Sequence, residues 1–244
     1  MGDKPVEIRF RTSDLEKALR LSIVVPAYNE SQTIERVINR LLEVPLEKEI
    51  IVVDDGSTDD TAGILERLSH PDVKLLRHEG NRGKGAALRT AFAEASGDVI
   101  IIQDADLEYD PSDYDNLIEP IRAGHADVVY GSRFLGGPHR VLLFWHYVGN
   151  KLITLLSNMM TNLNLTDMET GYKVFRAEVV KGLNLKSNRF GCEPEITAKV
   201  AKRGYRIYEV PISYYGRTAA EGKKITWKDG LAALLHVIRF RLFD

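Results

Sequence analysis

The sequence predicts an α/β fold with a mostly parallel central sheet and helices on both faces. Three observations carry that reading: short continuous apolar runs that suit strands buried on both faces, amphipathic stretches at helical spacing, and a regular alternation of the two along the chain. Strands and helices alternating at this rhythm imply right-handed crossovers. The 244 residues, 44% of them hydrophobic, suffice for one large domain with a proper core. A formal net charge of -2 offers no basic face for nucleic acid, so any anionic ligand must be met by local charge. The single cysteine, Cys192, rules out an internal disulfide, suits a reducing compartment and reads as packing. The first twenty residues contain no apolar core of signal-peptide length, and the expected location is the cytoplasm.

Residues 21–26 (LSIVVP) form the first expected strand, followed by AYNE and a helix carrying Ile34, Val37, Ile38, Leu41 and Leu42 on one face. A second unit runs from a strand at 49–53 through the acidic turn Asp54, Asp55, Gly56, Ser57 into a helix over 59–68, with Ser57, Thr58 and Asp59 as capping candidates. The third comprises a strand at 73–76, the segment GNRGKG at 80–85 and a helix through Ala95. The run VIII at 99–102 is the fourth strand, and a helix around 114–121 and a strand from 127 to 130 follow. After Arg133 the texture changes. Residues 138–160 are strongly apolar and aromatic, yet Arg140, His146, Asn150, Lys151 and Asn158 interrupt them, which excludes a membrane-spanning helix. Two readings stand for this stretch: a helix packed on the sheet, or one whose Phe144, Trp145 and Tyr147 edge rests on lipid. A short strand near 172–175, a helix over 194–202 and a strand at 205–212 come next. The last helix begins at Trp227 and aligns Leu231, Leu234, Leu235, Ile238 and Leu242 on one face, which is core by default, with Arg239 and Arg241 flanking it as an interfacial alternative.

The fourth strand delivers Asp104, Ala105 and Asp106. Ligands of open α/β sheets bind outside the carboxyl ends of the strands, so two carboxylates one small residue apart stand where a charged ligand is held. A divalent ion relieves their repulsion, because Mg²⁺ accepts one or two carboxylates and completes its shell with water and phosphate. The plain alternative is an acidic loop capping the next helix. Asp54 and Asp55 open onto the same edge, where a carboxylate accepts from a nucleobase or ribose or else caps a helix. In GNRGKG, the glycines and Lys84 at a helix start either cradle phosphate or make a tight turn, and the GK[ST] ending of a nucleotide-binding P-loop is missing.

PAYNE at 26–30, VVDDGSTDDT at 52–61, NRGKGAA at 81–87, DADLE at 104–108 and GSRF at 131–134 resemble, in order and spacing, the motif series of family 2 glycosyltransferases. DMETGYKVFR at 167–176 and GYRIYEVPI at 204–212, followed by Arg217 and Lys223, extend the similarity to the branch of dolichyl-phosphate mannose synthases and bacterial polyprenyl-phosphate glycosyltransferases. The resemblance covers about residues 21–225 and implies a glycosyltransferase-A, Rossmann-like fold. The implied organisation is an extension at 1–20, a catalytic domain at 21–225 and an amphipathic helix at 226–244. It further implies that Pro26, Tyr28, Glu30, Val53 and Asp55 hold the nucleoside of a UDP- or GDP-linked sugar, that Asp104 and Ala105 contact it, and that Lys84 meets its phosphates. Asp106, with Glu108 as second ligand, would hold Mg²⁺ or Mn²⁺. Arg133 would face phosphates or sugar, and Arg217 and Lys223 would serve a loop near the transferred sugar and the acceptor phosphate. That loop has Ala220 and Gly222 where the branch often has glycine and serine.

The implied reaction is an inverting displacement at the anomeric carbon, with cations stabilising the departing nucleoside diphosphate. A polyprenyl phosphate acceptor is already a nucleophile and brings peripheral membrane contact with it. A hydroxyl acceptor needs a base, for which Glu195 in RFGCEPEI is the candidate, its plain alternative, shared with Glu193, being favourable charge at a helix start. A nucleotidyltransferase would carry a glycine-rich, lysine-containing loop where this chain has AYNE. A non-catalytic binding module would be expected to have lost one of the ionic residues just named.

Overall fold

The computed structural model describes residues 19–136, 139–141, 144–189, 191–217 and 227–243. Lys223, Ala220, Gly222 and most of the first twenty residues lie outside them. The elements are β1 (Leu21–Ala27), α1 (Ile34–Glu43), β2 (Lys48–Asp54), α2 (Thr61–Arg67), β3 (Val73–Arg77), α3 (Lys84–Glu94), β4 (Val99–Ile102), α4 (Tyr114–Arg122), β5 (Val128–Ser132), α5 (Phe144–Thr161), β6 (Lys173–Arg176), α6 (Ala177–Leu183), α7 (Cys192–Lys202), β7 (Ile207–Pro211) and α8 (Trp227–Leu242).

One seven-stranded sheet has the order β3-β2-β1-β4-β6-β5-β7. β3, β2, β1 and β4 pair in parallel, as do β5 and β7, while β6 runs antiparallel to both of its neighbours. This inversion matters for the site. The carboxyl ends of β1, β2, β4, β5 and β7 and the amino end of β6 all open on one edge, which makes neighbours of their loops. A buried apolar run reads the same in either direction, so the sequence places β6 without orienting it.

Alternate strand side chains point to opposite faces. Ile23, Val25, Ile50, Val52 and Ile101 pack with α1 and α4, and Val24, Ile51, Val53, Ile100 and Ile102 pack with α3, α6 and α7. In α1 the buried residues Ile34, Val37, Ile38 and Leu41 follow the expected stripe. α6 was not anticipated: its AEVVKGL sequence follows β6 without a break, and a β-branched pair reads as more strand.

The last helix corrects its expectation in part: Leu234 packs against the core as expected, and the Leu231 side chain lies outside the described residues. α8 packs against α5 and α7 and buries Ala233, Val237 and Phe240, whereas Leu235 (65% exposed), Ile238 and Leu242 face outward. This helix has more apolar residues than one stripe can cover, and the stripe with the large ring is the one buried. α5 is likewise packed through Ile153, Thr154, Ser157 and Thr161. Phe144, Trp145 (77% exposed), Tyr147, Leu152, Leu155 and Met159 remain outside. No helix among the described residues is long and apolar enough to cross a membrane.

Candidate active site

The loops after β1 and β2 are tied together. The Asn29 N–H donates to Ser57 Oγ at 2.9 Å, the Thr58 N–H to Asn29 Oδ1 at 2.8 Å and the Glu30 N–H to Thr61 Oγ1 at 2.9 Å. Asn29 adopts a φ of 51°, a left-handed conformation that asparagine tolerates. Pro26 and Val53 sit side by side at the ends of β1 and β2, Val53 fully buried, with Tyr28 and Glu30 half-buried beyond them. Asp55 is buried and its carboxylate is committed within the protein: Oδ1 accepts from the Arg82 N–H at 3.0 Å and contacts His78 Nδ1 at 2.6 Å, and Oδ2 accepts from the Gly83 N–H at 2.7 Å. It thereby pins the 80–85 segment against β2. Gly56 makes room for this, since a Cβ there would strike the Gly80 backbone. Any nucleoside contact by Asp55 adds to these bonds.

Lys84 departs from the phosphate-cradling expectation. Its Nζ lies 2.8 Å from Asp104 Oδ1 and 3.1 Å from Glu193 Oε1. Burial opposes its charge, but those two carboxylates outweigh burial and hold it well above the usual lysine range. Glu193 also accepts the Cys192 S–H at 2.9 Å, so the lone cysteine is packing, as read.

Past β4 the chain turns through Asp104, Ala105 and Asp106, and Leu107 takes a φ of 62°, a strained left-handed position for this residue type. The Ala105 carbonyl accepts from Thr33 Oγ1 at 2.8 Å. Asp106 Oδ2 is 2.9 Å from Arg217 Nη2, and Glu30 Oε2 is 3.4 Å from Nη1. Glu108 accepts the Arg217 N–H at 2.7 Å and, through its other oxygen, the Tyr214 O–H at 2.7 Å. Three carboxylates thus gather on one guanidinium. Burial, followed by the Asp104 and Glu108 charges, pushes Asp106 up to about 7 against the pull of Arg217. Among the described residues no three His, Cys, Asp or Glu could hold a metal by themselves. The donor set nonetheless fits a hard cation that shares its shell with a diphosphate, and the guanidinium is a stand-in for such a charge.

Arg133, following β5, donates through Nε and Nη2 to the two Asp167 oxygens at 2.6 and 2.7 Å, a bidentate pair. Its guanidinium carbon lies 5.2 Å from the Tyr214 ring centre and 5.6 Å from that of Phe134. The 167–173 segment packs directly on the Asp104 turn: a Cβ at Gly171 would collide with the Asp104 carboxylate. Within it Lys173 donates to the carbonyls of Met168 and Thr170, and Glu169 Oε1 is sealed from solvent without a hydrogen-bond partner. Burial, then the Glu193 charge, raises Glu169 to about 8, opposed by Lys173 and Arg133. Asp167, Glu169 and Lys173 lie within DMETGYKVFR, where the sequence suggests no role for them. Two acidic residues just before a short buried strand and a lysine at its first position were the available signal.

Glu195 corrects its expectation as a base. It is fully enclosed on α7, where it accepts the Lys186 N–H at 2.6 Å, the Ser187 N–H at 2.7 Å and Lys199 Nζ at 2.6 Å. Both oxygens clamp the preceding turn, and neither is presented to a substrate.

A model of the glycosyl transferase family 2 matches residues 22–183. Undecaprenyl-phosphate mannosyltransferase of Micrococcus luteus is 32% identical over 217 residues, covering 84% of this chain and 87% of that protein. Dolichol-phosphate mannosyltransferase of Pyrococcus furiosus is 32% identical over 235 residues, covering 93% and 65% respectively. Among solved structures, glucosyl-3-phosphoglycerate synthase from Mycobacterium tuberculosis, in complex with Mn²⁺, UDP and phosphoglyceric acid, superposes with a TM-score of 0.72 at 23% identity, covering 97% of this chain and 83% of that one.

Proposed function

The chain belongs to glycosyl transferase family 2 and is a glycosyltransferase, and from that premise we propose that it moves a sugar from a nucleoside diphosphate to the phosphate of a polyprenyl phosphate, with a divalent cation on the donor diphosphate. The observation that carries the reading is the gathering of Asp106, Glu108 and Glu30 on Arg217, beside the Asp104 turn, at the carboxyl edge of the sheet. Asp106 and Glu108 would hold the cation, which supplies charge stabilisation to the departing diphosphate. The acceptor phosphate oxygen attacks the anomeric carbon, the bond from that carbon to the diphosphate oxygen breaks, and configuration inverts. No proton need be removed, because the attacking oxygen is already anionic, and this agrees with the enclosure of Glu195.

Two features support the lipid acceptor. The mannosyltransferase relatives carry polyprenyl-type phosphates in their names, and α5 turns Phe144, Trp145, Tyr147 and Leu155 outward, side chains of the kind favoured at a bilayer interface. A soluble hydroxyl acceptor is the second reading, motivated by the phosphoglyceric acid of the solved neighbour, which bears a hydroxyl beside its phosphate and would need a base to take that proton.

The test supplies candidate UDP- and GDP-sugars, Mn²⁺ and a short polyprenyl phosphate in detergent, and follows both nucleoside diphosphate release and glycolipid. Asp106→Asn is expected to lower kcat/KM by at least about a hundredfold, on the order of 3 kcal/mol of transition-state stabilisation. Wild-type activity in that variant or in excess chelator would overturn the metal assignment. Transfer to hydroxyl compounds only, with no phosphate acceptor used, would overturn the acceptor.

A further inference from the structure

An acceptor phosphate needs a cation whose charge is not already answered. Around the sheet edge most are. Arg133 is held by both oxygens of Asp167, Arg217 by Glu30, Asp106 and Glu108, and Lys84 by Asp104 and Glu193. Lys173 is buried and bonded to two main-chain carbonyls. Lys151 differs from all of these.

Lys151 stands half-buried on α5. Its Nζ donates to the Thr166 carbonyl at 2.9 Å and lies 4.4 Å from the Phe134 ring centre and 5.6 Å from that of Tyr147. These two rings also contact each other edge to face, 5.3 Å apart. No carboxylate among the described residues forms an ion pair with Lys151. An ammonium has three N–H donors, and here one is used by a carbonyl. Partly withdrawing a cation from water without an anion is costly, and two aromatic faces recover only part of that.

Its surroundings join the two halves of the proposed site. Phe134 follows Arg133 in sequence, and its ring lies under both cations. Thr166 precedes the Asp167 that holds Arg133. Tyr147, one turn away on α5, and Phe144 and Trp145, about two turns away, are exposed. Lys151 is therefore at the seam between the outward apolar face and the catalytic edge.

We propose that Lys151 binds the phosphate monoester of the acceptor, with Phe134 and Tyr147 flanking the ammonium. The inference rests on the phosphate-acceptor reading above. It assigns Lys151 no proton transfer: the ammonium supplies the missing counter-charge and fixes where the attacking oxygen stands.

The experiment measures initial rates with a saturating sugar donor and Mn²⁺ against two acceptors, a short polyprenyl phosphate in detergent and a soluble short-chain alkyl phosphate in buffer, for wild type, Lys151→Met and Lys151→Arg. Methionine keeps an unbranched stem and removes the charge. For whichever phosphate acceptor the wild type uses, Lys151→Met is expected to raise acceptor KM roughly ten- to a hundredfold, the worth of a hydrogen bond to a charged group. Donor KM and the slow hydrolysis of donor without acceptor should not move, and Lys151→Arg should recover most of the loss. An unchanged acceptor KM in Lys151→Met overturns the inference. So does a rise in donor KM alongside it, or a loss that arginine does not rescue, because a packing role predicts both. A wild type that glycosylates neither phosphate overturns the acceptor reading itself, and this is evident before any variant is compared.

Discussion

A charged residue at the sheet edge takes its role from what its polar atoms already hold. Lys84 was expected to meet phosphate, but it neutralises Asp104 and Glu193 inside the protein. Lys84→Met should therefore cost on the order of 3 kcal/mol of stability, because the buried Glu193 and the half-buried Asp104 lose their cation; urea unfolding at neutral pH measures it, and a loss below about 1 kcal/mol would refute the role of this ion triad. Glu169 makes a pH prediction. Its native value of about 8 lies above the ordinary value of 4.5, so the native state keeps a proton that the unfolded chain gives up. Stability from this group is full below the ordinary value and is lost as pH rises through about 8. Glutamine has no such proton to lose. The melting temperature of Glu169→Gln minus that of wild type should accordingly grow between about pH 5 and pH 9 and level off beyond. A difference that stays flat across the range would remove Glu169 from the set of groups protonated in the native state.

At the scale of elements, α8 separates two faces that composition alone could not. Phe240 is buried while Leu235 is exposed. Phe240→Ala should destabilise by about 3–5 kcal/mol, and Leu235→Ala by no more than about 0.5 kcal/mol, as read by chemical denaturation. The reverse ranking would restore the face that the leucine spacing suggests. The outward side of α5 makes a different prediction: Trp145→Ser with Leu155→Ser should leave melting unchanged and abolish flotation with anionic lipid vesicles. Retained flotation would mean that this surface does not rest on the bilayer. α5 also explains why Lys151 escaped notice, since in the sequence it is one of several polar residues interrupting an apolar run.

At the scale of the whole molecule, the sheet was legible wherever a strand's apolar run was continuous and its helix amphipathic, as in β1 with α1 and in β4. The direction of β6 was not, because pairing partners, and not local pattern, decide it. The site was legible as an edge, since Asp55, Asp106 and Arg133 all follow strand ends. Its pairings were not: Glu108 meets Arg217 across 109 residues, and no local spacing encodes such a partner. That same contact has a thermodynamic consequence. With Arg217 among Glu30, Asp106 and Glu108, the ligand-free enzyme is stored as a partial internal salt, in which one guanidinium answers part of the charge of three carboxylates. Its melting temperature should therefore respond to Mg²⁺ less, when no nucleotide is present, than that of a variant without the guanidinium. In Arg217→Gln the three carboxylates face one another unscreened, so melting should fall most at alkaline pH, and acidification or millimolar Mg²⁺ should restore it. A variant that responds to Mg²⁺ no more than the wild type would show that the guanidinium is not that salt's cation.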